Sequence, residues 1–474
     1  MTIAKTHRPA QPPAIPLIRN PTGTGAALPF DWPLAYDAEQ FLRQRIAGFL
    51  EQNAYASRLA DRMRNETATD FFEWADHLVL SPNEERCLSA VGFVPDSDAD
   101  THNNEVVLRH PLATLPRVIL RPGPLTLAFR PEFVADFVAR HKLSGEPEGE
   151  PCSRYRRIVV AAENGTRLEA VERRAYRGFL AAPLKPGDLR NIVKARELWH
   201  TRPRSFACDA DGFNAANRIL DRVLALVGPD LATQFCFESE RAYWETRNHA
   251  ARIQKLRQDQ LGLGWGNHDH HTFRCSRAHF VDLIEILLKL GFIKRERYYA
   301  GAEAGWGAQI CEHPITGIVV FADVDLLPEE TQVDFSTRRL PPAPRLGTVG
   351  LWVALHGESF LDAGMHHLEA RFDFDLLRAQ LQACGVSTMR PFSEFPFLRQ
   401  AFTEGERWPV RRERAERLLS TGLISHEQYD QFTREGALGS HLENLQRHGG
   451  FKGFNQKSVS AIIAATDPRK NRFR

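Results

Sequence analysis

The sequence predicts an α+β protein in which tandem β-α-β-β-β units form a half-open barrel, preceded by an extra N-terminal α+β domain. Three observations predict it. From about Trp265 a strand-like run, NHDHHTFRC, leads into the amphipathic stretch HFVDLIEILLKLGF and then three further strand-like runs. After a proline-rich connection the same order of elements begins again. Upstream, a helical region gives way to several short apolar runs of β character.

Taken in order, residues 1–33 are rich in Pro, Gly and Thr and read as a flexible N-terminal arm. Between Tyr36 and Phe72 the apolar residues Phe41, Ile46, Phe49 and Leu50 recur at helical spacing. DHLVLS, EVVLRHP, RVILRPG and LTLAFRP read as short strands, FVADFVARH as a helix, and RRIVVAAENG as one more strand and turn. Between that helix and strand, Leu143–Ser153 is linker-like. These elements make up a domain at 34–205 whose role the sequence leaves open. Helices resume at Gly212–Val227 and around Glu238–Gln260. The first unit, about 265–345, is NHDHHTFRC, the amphipathic helix, then RERYYA, GAQICEHP and GIVVFADVDL as strands. The second, about 346–465, opens with GTVGLWVAL and MHHLEARF and continues through the helix FDLLRAQLQACG. A helical insert, ERAERLLSTGLISHEQYDQFTREG, precedes a last strand near SHLENLQ. Asp76 and His77 repeat the Asp-His opening of the 269–270 strand, and a chance match is the simpler reading than a third unit.

Composition excludes several classes. The 61 basic and 59 acidic residues nearly cancel, which argues against a general nucleic-acid binder. No apolar run reaches the roughly 18–20 residues that cross a bilayer. The opening MTIAKTHRPAQPPAIP lacks an apolar core, so no secretory signal is expected. The seven cysteines show neither CxxC nor scaffold spacing, which fits reduced thiols and a cytoplasmic location. Cys275 reads as a buried thiol, not a nucleophile.

Histidines cluster where the strands are. Four of the 18 lie between His268 and His279, and His366 and His367 are adjacent. Strand alternation puts His268, His270, Thr272 and Arg274 on one face and His271 and Phe273 on the other. In the second unit His367, Glu369 and Arg371 share a polar face opposite His366 and Leu368. Two such faces brought together, with one carboxylate, make a 2-His-1-carboxylate metal triad that leaves three adjacent positions open. His268 and His366 compete for the histidine roles, and Glu369 for the carboxylate. Nitrogen and oxygen donors of this kind accept iron, manganese, cobalt or zinc.

DHHTFRCS, the following helix and LGFIKRERYYAGAEAGWGAQICEHP together resemble the 2-oxoadipate dioxygenase/decarboxylase (hydroxyglutarate synthase) family, whose members are similar to vicinal-oxygen-chelate enzymes. FADVDLLPEETQ resembles that family's acidic segment. GSHLENLQRHGGFKGFNQKS resembles the stretch supplying its carboxylate ligand, with a Gly-Phe and an Asn further on. The resemblance spans roughly residues 240–465. It implies that 206–474 is a metal-dependent dioxygenase domain, with Fe(II) held by His270, His367 and Glu443. It also implies that Arg274 grips the distal carboxylate of the substrate, a small 2-oxo dicarboxylic acid that reacts with O2. The implied reaction, in lysine degradation, converts 2-oxoadipate to 2-hydroxyglutarate and CO2; no nucleic-acid or membrane partner is implied. Other enzymes of this fold (ring-cleavage dioxygenases, isomerases, glyoxalases) and a non-catalytic small-acid-binding protein are the alternatives. Arg274 separates them, since a catechol needs no distal carboxylate clamp.

Overall fold

The computed structural model describes residues 32–101, 105–455 and 467–469, so the predicted arm lies almost wholly outside the described residues. Trp32, at its end, is buried against Leu398, Leu445 and Phe451. The chain forms two large sheets. The first holds β1 (Ala75–Leu80), β2 (Val94–Pro95), β3 (Val106–Arg109), β4 (Arg117–Leu120), β5 (Leu125–Phe129), β6 (Tyr155–Glu163) and β7 (Thr166–Arg173), in the order β2-β3-β4-β1-β5-β7-β6. The later strands are β8 (His268–Arg274), β9 (Ile293–Tyr299), β10 (Trp306–Glu312), β11 (Val319–Asp325), β12 (His367–Arg371), β13 (Ser393–Phe395), β14 (Leu398–Phe402), the two-residue β15 (Arg407–Trp408) and β16 (Ala437–Leu438), and β17 (His441–Arg447). Eight of them form the second sheet, β13-β14-β17-β12-β8-β11-β10-β9.

Two β-α-β-β-β units meet at the centre of this second sheet. β8 runs parallel to β11 and antiparallel to β12, while β12 runs parallel to β17. A parallel pair needs a crossover. In the first unit it begins with the helix Phe280–Lys289, which buries Phe280, Leu283, Ile284 and Leu287 on one face. In the second it begins with Phe374–Ala383, capped by the Asp373 side chain accepting from the Leu376 N–H. The predicted insert forms the helices Arg412–Ser420 and His426–Glu435 between β14 and β17.

The first sheet is wired the same way. β1, the helix Glu85–Ala90, β2, β3 and β4 form one unit, with β1 parallel to β4. β5, the helix Val134–His141, β6 and β7 form another that lacks one strand; the isolated bridge Glu148–Arg157 stands at that edge. β1 pairs antiparallel with β5, as β8 does with β12. The Asp76-His77 repeat is therefore structural, and its reading as a chance match is corrected. β7, the partner of β6 across the Asn164-Gly165 turn, went unassigned in the sequence reading.

GTVGLWVAL, read only as the opening of the second unit, is the helix Thr348–His356, buried on nearly every side. Its first turn is capped from a distance: the Asp325 carboxylate accepts from the N–H groups of Gly347 (2.6 Å), Val349 (3.1 Å) and Gly350 (3.0 Å). A Cβ at Gly350 would lie 2.4 Å from Asp325 Oδ2, so this close approach requires glycine. The expected helix Gly212–Val227 is the first part of the run Asp209–Thr246, which kinks at Gly228-Pro229; the expected helix around Glu238–Gln260 is divided between the end of that run and His249–Asp259. Among the described residues, no helix is long and apolar enough to cross a membrane.

Candidate metal centre

Register brings the predicted residues together. Across the three central strands His270 stands opposite Glu369, and Glu369 opposite Glu443. One step along, Thr272, His367 and His441 are aligned in the same manner. Directly paired residues share a face, so the two histidines and Glu443 point into one cavity, which they line together. Glu443 Oε2 lies 3.0 Å from His367 Nε2 and 3.9 Å from His270 Nε2, and all three donors fall within 4.8 Å of one another. Donors about 2.1 Å from one six-coordinate ion stand about 3 Å apart when adjacent and about 4.2 Å when opposite. The spacing fits a single divalent ion.

The electrostatics point the same way. Burial pushes His270 below the ordinary imidazole range, and pushes His367 down to about 3 with the Arg274 charge adding to it. Both rings are therefore neutral and able to ligate. Burial pushes Glu443 and Glu369 above the usual carboxylate range, and Glu443 raises Glu369 further. Two adjacent buried carboxyls without a full countercharge favour a cation between the imidazoles.

The neighbours fix each candidate ligand. His270 Nδ1 lies 2.7 Å from Glu369 and 3.6 Å from Asp269, leaving Nε2 for the ion. Arg447 holds Asp269 through two contacts, 2.9 and 3.2 Å. His367 Nδ1 is 2.9 Å from His366 Nδ1, which orients the ring with Nε2 inward. Gln400 Nε2 donates to Glu443 Oε1 at 3.0 Å. Gln400 was missed in the sequence because only its pairing on β14, beside β17, gives it meaning.

The competitors separate cleanly. A bulge at Asp269 breaks the alternation of β8, and His268 leaves the face of His270. Its ring packs 5.3 Å from that of His271, and Nδ1 meets the Trp265 carbonyl at 2.8 Å. The expectation that His268 shares the His270 face is corrected. His271 is buried against Phe237 and Arg241. His366, expected on the far face of its strand, precedes β12 and lines the cavity, yet serves as partner to His367. Glu369 stands behind His270 in a second acidic group with Asp269. Cys275 is buried and its thiol is pushed up by burial, as expected.

Arg274 lies on the same wall as His270 and Thr272 and is 2% exposed. Its Nε and Nη1 are buried without a hydrogen-bond partner among the described residues. Asp323 is directly across on β11. Burial pushes that carboxyl up to about 8 against the opposing pull of Arg274, which weakens its hold on the guanidinium. The guanidinium borders the cavity without a hydrogen-bonded carboxylate; Asp323, Asp325 and Asp467 attract it without contact. Phe454 and Asn455, from the Gly-Phe-Asn segment, also line the cavity.

The first sheet repeats this layout with one ligand missing. A bulge at Asp76 matches the one at Asp269, and register then aligns His77 with His270, Glu169 with Glu443 and Thr126 with His367. Arg173 holds Asp76 as Arg447 holds Asp269. In sequence the shared signal is Leu-Glu-x-x-x-Arg, at Leu168 and again at Leu442. The His77 ring packs against Phe179, over which Arg117 and Arg173 also stack, so the cavity of this half is filled.

No family model and no curated protein matches the chain. Among solved structures it is similar to a mutant of 4-hydroxymandelate synthase from Streptomyces coelicolor, at 14% identity over 85% of this chain and 100% of the other, TM-score 0.28. It is similar to hydroxyglutarate synthase from Oryza sativa in complex with 2-oxoadipate, at 12% identity over 56% and 96%, TM-score 0.33. Methylmalonyl-CoA epimerase from Mycobacterium tuberculosis matches at 14% identity over 38% and 88%, TM-score 0.22. At these TM-scores the likenesses do not establish a common fold.

Proposed function

We propose that this chain is an Fe(II)-dependent dioxygenase/decarboxylase acting on a 2-oxo dicarboxylic acid, with 2-oxoadipate as substrate and 2-hydroxyglutarate and CO2 as products. One observation carries the choice of substrate class: the buried, unpartnered Arg274 guanidinium shares a cavity with the two histidines and Glu443. A planar fork of donors suits a carboxylate, and positions four apart on a strand are about 13 Å apart at the backbone. A flexible arginine bending back along that wall meets the far end of a six-carbon diacid whose 2-oxo carboxylate end lies at the triad.

Bound iron would supply redox capacity towards O2 and a chelating grip on the 2-oxo acid. The protein's own groups do the rest. His270, His367 and Glu443 hold three positions and leave an open side. Gln400 orients Glu443, and His366 orients His367. Phe321 and Phe402, packed against the two ligand rings, exclude water from the reacting end. The overall reaction balances: C1 leaves as CO2, one oxygen atom joins C2 as the new carboxylate, and the other becomes the hydroxyl on the adjacent carbon. A catechol-cleaving or isomerase reading gives the unbonded donors of Arg274 no anion to hold.

The test is oxygen uptake by iron-loaded protein on adding 2-oxoadipate, with CO2 release followed in parallel. Matched uptake and release support the assignment. Iron-loaded protein that consumes no oxygen overturns it.

A further inference from the structure

A second cavity, of about 380 Å³, opens between the two sheets and shares with the metal cavity only the wall formed by His270 and Phe321. Its lining is strongly cationic: eight Lys and Arg side chains against four carboxylates. Most of these charges are matched locally. Arg173 is paired with Asp76, Arg447 with Asp269, Arg177 with Asp96, and Lys452 with Glu312.

Arg130 and Arg371 differ from the rest. Among the described residues neither side chain makes a hydrogen bond or ion pair, and Arg371 Nε is buried without a partner. They occupy equivalent places in the two sheets. Register sets Ala128 where Glu369 stands, so Arg130 is to β5 what Arg371 is to β12. Their backbone N–H groups confirm the match: Arg130 donates to the Trp74 carbonyl at 2.8 Å, and Arg371 to that of Asn267 at 3.1 Å, each in the residue just before β1 or β8. Burial pushes Arg130 below the ordinary guanidinium range; Asp76 opposes this, and the charges of Arg173, Arg371 and Arg241 add to it. An unmatched cation in a partly buried cavity is costly unless an anion joins it. The internal repeat therefore presents to a single space one guanidinium from each half whose attracting carboxylate, Asp76 for Arg130 and Asp269 for Arg371, is already held by another arginine.

We propose that this interdomain cavity binds a small dianionic molecule of the dicarboxylate class, with one anionic group held by Arg130 and the other by Arg371. Guanidinium forks take carboxylates bidentately, and a span set by two equivalent arginines selects for two separated groups over one. This site is distinct from the one that holds the substrate in the proposed reaction, and it stands whether or not that reaction is confirmed.

The experiment is calorimetric titration of the iron-loaded protein with glutarate, repeated with glycerol 3-phosphate, whose charge sits on a single group. The wild type, Arg130→Gln, Arg371→Gln and Arg274→Gln proteins are compared, each checked for folding by circular dichroism. The expected result is glutarate binding that weakens about tenfold or more in Arg130→Gln and in Arg371→Gln. It persists in Arg274→Gln, where the metal cavity has lost its clamp, and it is tighter than binding of glycerol 3-phosphate. If one of the two cavity variants fails to fold, the other carries the comparison. Glutarate binding that disappears in Arg274→Gln and ignores Arg130 and Arg371 overturns the proposal, because the anion is then in the metal cavity. No binding of glutarate at millimolar concentration overturns it too, as does equal affinity for the two probes.

Discussion

Replacing Arg274 by methionine should raise stability while removing activity on a diacid. The side chain is 2% exposed, and burial pushes its guanidinium below the ordinary range, down to about 10. A shift in that direction marks a burial penalty on the charged form on the order of a few kcal/mol. Methionine has a similar length and no charge, so Arg274→Met relieves part of this penalty: an expected gain of about 1–3 kcal/mol, or a few degrees in Tm. Against substrate the sign reverses. Two charge-assisted hydrogen bonds to a distal carboxylate are worth roughly 3–5 kcal/mol together, which is about 10²–10³-fold or more in kcat/KM for 2-oxoadipate. 2-Oxohexanoate lacks the distal carboxylate and should lose little. Differential scanning fluorimetry and an oxygen electrode read the two effects separately. A lower Tm, or equal losses for both acids, would refute the reasoning, since Arg274 would then be a paired structural residue and not a clamp awaiting an anion.

Metal content separates the two equivalent histidines. His270→Ala and Glu443→Gln should abolish bound metal as measured by elemental analysis, while His77→Ala keeps about one ion per chain and loses roughly 1–3 kcal/mol of stability with its buried contact to Asp76, Nδ1 to Oδ2 at 2.7 Å. Acid should unfold the metal-free protein steeply. Burial holds His356, His367 and His441 at about 3, well below their unfolded value near 6.5, so the unfolded chain binds more protons and stability falls as pH drops from about 6.5 towards 3. Urea midpoints measured across that range check it; a flat profile sinks the idea. Asp325→Ala should cost about 1–3 kcal/mol by uncapping the helix Thr348–His356, seen as a lower urea midpoint with an unchanged metal stoichiometry.

Much of the candidate site was legible because strand alternation is local. Within β12 His367 and Glu369 share a face, and within β8 so do His270, Thr272 and Arg274, from spacing alone; pairing makes the two faces one. Alternation failed where a bulge intervened: Asp269 is an extra residue in β8, so His268 and His270 part company although two positions separate them. Whether Glu443 or Glu369 joins the histidines also lay beyond spacing, since the two carboxyls stand opposite one another on adjacent parallel strands. Only the direction of each side chain puts Glu443 in front of the rings and Glu369 behind His270.

The sequence by itself determined the element order of the first unit around β8 and both amphipathic crossover helices, because hydrophobic periodicity is written residue by residue, while the short strands β13 and β14 carry no such pattern. Tertiary structure decided three things. GTVGLWVAL is a helix because a carboxylate from β11 satisfies its first N–H groups, and no local signal encodes a cap that arrives from the end of a neighbouring strand. The first half is a second copy of the same architecture because pairing order, which depends on contacts between distant segments, repeats where sequence identity has faded. Finally, Arg130 and Arg371 gain significance only when the two sheets meet, since an unmatched charge is a property of the space around it and not of the chain that carries it.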